Sequence, residues 1–301
     1  MMEGSFLSKL VRGDSQALAR CISLVENEVE GYARILEDLT FSSSTIMVGI
    51  TGPPGAGKST LVDGMTQLLL DQQKKVAILA VDPSSPFHRG ALLGDRVRMS
   101  RHFTDPRVFI RSLSSRGSLG GLHPKILEIA DLIRAAGFDY LLIETVGVGQ
   151  SEVEIASLAD TTVVVLVPES GDEVQTMKAG LLEIADLLVV NKAERPDAEA
   201  LIQGLKDLSH QNSGPLWEIP VLKTIATSGE GISGLMEKIN MHQALLDRDP
   251  EKKSMLLAEK AFQLIQAGRM KDMDKKKLQQ DILSQLESGD FNMYRWIQQW
   301  K

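Results

Sequence analysis

An α/β fold built on a mostly parallel sheet, with helices on both faces, follows from three observations in this 301-residue sequence. Apolar runs of the fully buried strand type recur along the middle of the chain: TIMVGI, KKVAILAVD, FDYLLIETV, TTVVVLV and DLLVVN. Stretches with apolar residues at helical spacing separate them. Three polar residues that end such runs, Asp82, Glu144 and Asn191, fall where parallel sheets gather their ligand groups.

Taken in order, residues 1 to about 42 read as a helical extension. Asp14 or Ser15 can cap ALARCISLVENEVEGYARILEDL, in which Leu18, Ile22, Val25, Val29, Tyr32, Ala33 and Leu36 make one stripe. That face must dock, on the neighbouring domain or in a partner's groove. After the polar connection FSSST, a domain of residues 43 to 245 carries the strands and closes with IPVLKTIATSGEGI and the helix SGLMEKINMHQALL. Residues 246 to 301 begin with the charged linker RDPEKKS and continue as a helical arm. Leu257, Ala261, Leu264 and Ile265 form one apolar stripe there, Leu278, Ile282, Leu283 and Leu286 a second, with QAGRMKDMDKK as the turn between them. A helical hairpin of this size cannot bury both stripes alone, so it is expected to dock on the main domain or on a second subunit, the aromatic ending FNMYRWIQQW adding to that surface.

The first strand leads into GPPGAGKST: Gly52, Pro53, Pro54, Gly55, Ala56, Gly57, Lys58, Ser59 and Thr60. This is the GxxxxGK[ST] phosphate-binding loop, in the required order of strand, loop and helix. Its glycines let successive N–H groups turn inward around a polyphosphate, and the helix points its positive end at the same place. Lys58 adds a point charge to the β and γ phosphates, and Ser59 offers a hydroxyl to Mg²⁺. The fold class is therefore a P-loop NTPase.

Composition narrows the ligand. Net charge is −7 and the isoelectric point about 5.4, so the broad basic footprint of a nucleic-acid protein is missing. No nucleic-acid partner is expected. The single cysteine, Cys21, precludes an internal disulfide and lies on an apolar helical face, where a thiol acts as a small hydrophobe. No run of 18 apolar residues occurs, so no membrane association is expected. The opening MMEGSFLSKLVRGDSQ fits neither a secretory signal nor an Arg-rich transit peptide, and a soluble cytoplasmic protein is the expectation.

Nucleotide hydrolysis needs Mg²⁺ held by oxygen ligands, and Ser59, Asp82, Asp95 and Glu144 are the candidates. Asp95, in RGALLGDRVRM, is read as lying in a loop that can report nucleotide state; a simple surface charge is the alternative. In ETVG, Gly147 supplies an N–H to sense the γ phosphate. The next residue is Val148, where Ras-like GTPases place a water-orienting Gln; Gln150 is two positions further on, so slow intrinsic hydrolysis is expected. NKAE, with Asn191, Lys192 and Glu194, resembles the NKxD guanine motif, whose carboxylate accepts from the base and excludes adenine. Ala226 is a candidate backbone donor to the guanine O6.

Behind GPPGAGKS, the segments VDPSS, LLGDRVRM, SSRGSLGGL, ETVGVGQSE, PESGDEVQTMKAG and NKAE follow in an order that resembles the MeaB/ArgK GTPases, the group that includes the methylmalonic aciduria type A protein. The likeness runs from ALARCISLVEN to the helical tail. This chain departs from the usual pattern at Arg89, where the family has Gly, at Arg96 for Lys, at Glu194 for Asp and at Ile225 for Ser. The resemblance implies a SIMIBI-class G domain, a homodimer formed through the C-terminal arm, and a chaperone of an adenosylcobalamin-dependent acyl-CoA mutase, usually methylmalonyl-CoA mutase. GTP and GDP are the implied nucleotide ligands. It assigns Lys58, Ser59, Asp82, Asp95 and Glu144 to phosphate and Mg²⁺, Asn191, Lys192 and Glu194 to the base, and GDEVQTMK to a third switch. Within that switch, Lys178 is a candidate catalytic charge that reaches the nucleotide when the partner binds, or else a solvated helix lysine. Arg98 is a comparable candidate for charge on the transferring phosphoryl. With Lys58 and Glu144 they make up the candidate catalytic set.

Two other readings stay open. A metal-insertion GTPase, like the nickel chaperones of urease and hydrogenase, needs Cys or His near its switches, and this chain offers Cys21 and the scattered His88, His102, His123, His210 and His242. A P-loop kinase or transport-system ATPase would pass phosphate to a protein rather than to water.

Overall fold

The structure is a computed structural model that describes residues 3–41, 45–82, 99–114, 122–145, 151–170, 183–212, 216–270, 273–287 and 291–300. Seven strands among these residues form one sheet: β1 (Ile46–Thr51), β2 (Val76–Asp82), β3 (Val108–Ser114), β4 (Tyr140–Thr145), β5 (Thr161–Leu166), β6 (Leu187–Asn191) and β7 (Val221–Thr224). Their order is β3-β2-β4-β1-β5-β6-β7, and each pairing is parallel. Strand β1 is central, so the phosphate loop leaves the middle of the sheet at its carboxyl edge.

β3 is the strand that the apolar-run pattern passes over. Its sequence, VFIRSLS, starts apolar and is broken by Arg111 and Ser112, and it occupies the edge beside β2 with only Phe109 and Leu113 buried. Arg111 falls on the same face as those two and pairs with Glu26, so the strand gives neither an apolar run nor a clean period-two signal.

The strands show their two faces to different helices. Val48 and Ile50 of β1 join Leu61, Met65 and Leu69 of α4 (Lys58–Asp71) and Leu235 and Ile239 of α8 (Ile232–Leu246). Met47, one position off, joins the opposite core with α5 (Ile126–Ala135) and α6 (Ser151–Leu158). Each such side chain removed from water contributes about 1.5–3 kcal/mol. At Gly49 a Cβ would stand 2.7 Å from Ile155 Cγ1 and 3.0 Å from Ala159 Cβ, so α6 rests directly on the backbone of β1. Another described helix, α7 (Ala198–Asn212), covers β6 and β7 with Ala198, Ile202 and Leu205.

The N-terminal stretch is three helices rather than one continuous stripe: α1 (Glu3–Val11), α2 (Ser15–Glu26) and α3 (Tyr32–Glu37). Asp14 caps α2 by accepting from the Ala17 N–H at 2.8 Å. The chain then breaks at Glu28 and Gly31, both at positive φ, which leaves Val29 44% exposed and Ala33 exposed as well. Leu18, Cys21, Ile22 and Val25 are fully buried in the same core as β2, β4 and α5, together with Leu10 of α1, which the stripe did not include. Burial also pushes the Cys21 thiol pKa up. An Arg111–Glu26 ion pair at 2.6 Å fastens α2 to β3.

The chain separates into two compact units, Met1–Lys253 and Ser254–Lys301. Helix α9 (Pro250–Arg269) begins in the first unit and, after its first turn, belongs to the second, with α10 (Lys275–Glu287) and α11 (Met293–Trp296). Within the second unit Trp296 Nε1 donates to Asp281 Oδ2 at 2.9 Å and Phe291 packs near the Trp296 ring. Its apolar stripes stay largely in water: Leu257, Phe262, Ile265, Leu283 and Leu286 are all more than half exposed. Among the described residues no helix is long and apolar enough to cross a membrane.

Candidate nucleotide site

The phosphate loop is shaped by close backbone contacts that only glycine permits. At Gly52, with φ at 133°, a Cβ would lie 2.0 Å from the Val165 carbonyl oxygen, so the loop starts by passing against β5. At Gly57, with φ at 87°, a Cβ would lie 2.4 Å from Asn191 Nδ2. Pro53 and Ala56 face inward, while Pro54 and Gly55 form the exposed tip. Helix α4 starts at Lys58 and aims its free N–H groups and positive end back into the loop.

Lys58 is buried, and its Nζ donates to the carbonyls of Gly52 at 2.8 Å and Pro53 at 2.9 Å. The ammonium is thus held by the loop it serves. Ser59 Oγ donates to Glu144 Oε1 at 2.6 Å, a short bond as expected when the acceptor is a carboxylate. Both groups are buried. A hard divalent cation takes oxygen ligands, and a hydroxyl beside a carboxylate in the first turn of the phosphate-loop helix is a donor set that fits Mg²⁺. The register of β2 on β4 puts Ala80 opposite Glu144, so Asp82 ends its strand two residues further along the same edge. One layer behind, Thr145 Oγ1 donates to Thr51 Oγ1 at 3.0 Å, joining the carboxyl ends of β4 and β1.

Asn191 is the tie of the base end. Its Nδ2 donates to the Ala56 carbonyl at 2.8 Å, and its Oδ1 accepts from Thr224 Oγ1 at 3.0 Å and from the Ala226 N–H at 3.1 Å. One amide therefore joins the phosphate loop, the end of β6 and the loop after β7. The N–H of Ala226, expected to face a base carbonyl, is engaged by Asn191 in this arrangement. Lys192 adopts a positive φ of 56°, and Ala193 N–H bonds the Thr224 carbonyl at 3.1 Å, which turns the backbone so that Glu194 is exposed. Arg195 then pairs with Glu169, just past β5, and holds that carboxylate below its ordinary range. Thr60 lies in the first turn of α4 and lines a cavity that Ala226 also lines.

The described structure thus brings together Gly52 to Thr60, Glu144, Asn191, Lys192, Glu194 and Ala226, with Asp82 at the same edge. Asp95, Arg98, Gly147, Val148, Gln150 and Lys178 lie outside the described residues. Sequence reasoning missed Thr51, Thr145 and Thr224, whose hydroxyls wire the strand ends. The only signal for them is a Thr in the last position of its strand.

Comparison with known proteins now identifies the arrangement. Residues 18–280 match the family model described as methylmalonyl-CoA mutase-associated GTPase MeaB. A protein of Pyrococcus abyssi named as a GTPase is 43% identical over 286 residues, covering 93% of this chain and 83% of its own length. The mouse methylmalonic aciduria type A homolog, a mitochondrial protein, is 37% identical over 261 residues, covering 78% of this chain and 62% of its own. Among solved structures, one described as an LAO/AO transport system kinase superposes with a TM-score of 0.70 over 99% of this chain and 95% of its own, at 24% identity, which speaks for the P-loop fold alone. With its phosphate loop, its Asn191 tie and this match over most of its length, the chain belongs to the MeaB family of GTPases.

Proposed function

We propose that the chain binds GTP and Mg²⁺ between the phosphate loop and the NKAE loop, hydrolyses GTP slowly by itself, and uses that cycle to gate cofactor loading and protect an adenosylcobalamin-dependent acyl-CoA mutase, with methylmalonyl-CoA mutase as the first candidate. The observation that carries the nucleotide half is the Asn191 side chain. By bonding Ala56 on one side and Thr224 and Ala226 on the other, it holds the phosphate loop and the guanine-type loop as one body. The mutase half rests on the family description and on the mouse relative.

The roles follow from the positions. Loop N–H groups and the α4 terminus receive the phosphates. Lys58 exchanges its two carbonyl partners for phosphate oxygens, keeping a charge-assisted bond throughout. Ser59 and Glu144 would hold Mg²⁺, with Asp82, at the same sheet edge, and Asp95, on the family resemblance, as further candidate ligands. The ion, when bound, supplies positive charge to the β and γ oxygens. Glu194 accepts from the guanine edge and Lys192 flanks it. Gly147 senses the γ phosphate. Arg98 and Lys178 are the charges that a partner would bring to bear. Val148 in place of a water-orienting Gln keeps the unassisted rate low. A cytoplasmic homodimer joined through the C-terminal arm would cover the apolar stripes that the second unit leaves in water.

The test is a GTPase assay with purified candidate mutases, following the γ-phosphate. A rise of about tenfold or more with one mutase, with the label released as free phosphate, is the expected result. No acceleration by any adenosylcobalamin-dependent mutase overturns the chaperone reading, and label on a protein side chain overturns hydrolysis as the reaction.

A further inference from the structure

Beside the base loop, a cavity of about 370 Å³ runs between the outer face of α4 and the turn that follows β7. Thr60, in the first turn of α4, and Ala226 both line it, so one end of it adjoins the phosphate loop and the loop after β7. Its charged lining residues are Asp63, Asp71 and Arg101, of which Arg101 and Asp63 are paired. Arg101 Nε donates to Asp63 Oδ1 at 2.9 Å, Nη2 pairs with Oδ2 at 2.6 Å, and the same Nη2 donates to the Asp63 carbonyl at 3.2 Å. His102, which is buried, places Nε2 3.0 Å from the same Oδ1 and 3.2 Å from Arg101 Nε, so it packs against the pair where the two side chains meet.

A surface arginine fixed by two carboxylate oxygens and a helix carbonyl has lost most of its freedom before any ligand arrives. Its side chain nonetheless stays 51% exposed. A planar, weakly hydrated guanidinium held in this way is suited to stack on a flat aromatic ring, which a compact ammonium cannot do. We propose that Arg101, positioned by Asp63, is a nucleotide-binding residue whose guanidinium packs against the purine and ribose end of the bound nucleotide. This rests on the guanine-nucleotide reading and adds a contact outside both loops of that reading. Glu194 addresses the edge of the base and Lys192 flanks it from the NKAE loop, whereas Arg101 reaches it from the side of α4.

Titration of fluorescent GDP into the full chain tests this, with R101A, R101K and D63N compared against the unaltered protein and each variant's melting temperature recorded. R101A is expected to weaken GDP binding at least tenfold, and R101K to weaken it nearly as much, since the charge is kept and the plane is lost. D63N, which leaves the guanidinium in place but loosely held, is expected to weaken it about threefold. Unaltered binding by R101A overturns the proposal. So does wild-type affinity in R101K, which would make the contact one of charge alone. If R101A fails to fold, R101K still decides between these outcomes. An unaltered chain that binds no guanine nucleotide overturns the underlying reading instead, and that shows in the control arm.

Discussion

At the base end of the site Asn191 has three hydrogen bonds made to protein, all between buried or half-buried groups, whereas at the phosphate end Lys58 and Ser59 are held by groups they must release or share when a ligand arrives. The difference separates two tasks. The base end is tied together through Asn191 before any ligand arrives. The phosphate loop stores its charges on its own carbonyls and on Glu144, so phosphate and metal can displace contacts and change what surrounds them. A switch needs that asymmetry, because one end must select the ligand while the other must register its hydrolysis.

Changing Lys58 should give the largest functional effect. K58A is expected to lower kcat/KM for GTP by about 10²-fold or more, as for loss of a single preorganised charge donor, while the unfolding free energy in urea moves less than in N191A, since only two carbonyls lose a partner and a buried ammonium is removed with it. Asn191 should behave in the opposite way. N191A strands the Ala56 carbonyl, the Thr224 hydroxyl and the Ala226 N–H, and unsatisfied buried groups cost about 1–3 kcal/mol each. Urea unfolding of the nucleotide-free protein should therefore register a loss of about 3 kcal/mol, well above that of K58A. Equal losses in the two variants would erase the contrast between the ends.

A smaller effect is expected at the metal. E144Q keeps the shape and a hydrogen bond to Ser59 but removes the charge, and should raise the Mg²⁺ concentration needed for half-maximal hydrolysis by about tenfold. Titrating Mg²⁺ at saturating GTP checks it. The smallest effect belongs to the exposed Glu169–Arg195 pair behind the base loop. Arg195 depresses the Glu169 pKa from its ordinary 4.5, so the stabilisation is present above that value and is lost as pH falls through the lowered one. E169Q should lower the melting temperature at pH 7 by no more than about 1–2 °C, and the gap from the unaltered chain should close in acid. A persistent gap at low pH would assign the pair a packing role instead.

How much of this was legible in the sequence depended on whether the signal was local. The phosphate loop could be read because strand, glycines, Lys58 and helix lie within a few residues of each other. Asp82 and Asn191 could be placed because buried parallel strands stop abruptly at polar residues, and β2 and β6 end on them. The tie from Asn191 to Ala56 spans 135 residues and has no sequence signature. The contact of Arg101 with Asp63 spans 38 residues and is hidden in the same way. β3 escaped because at the sheet edge Arg111, Ser112 and Ser114 interrupt what would otherwise be an apolar run. The N-terminal stripe was overextended because helical periodicity ignores backbone breaks, and Glu28 at positive φ gives no warning of one.

The burial of Cys21 has a practical side. The chain has no other cysteine, and this one is fully enclosed with its thiol pKa pushed up, so little thiolate is available to a maleimide or a nitroxide reagent. The native protein is in effect already free of reactive thiols. A cysteine introduced on the exposed faces of α9 or α10, or beside Arg101, can be labelled selectively without first removing a core residue. Distances and motions of the arm and of the base pocket can then be followed spectroscopically in a chain whose core is unaltered.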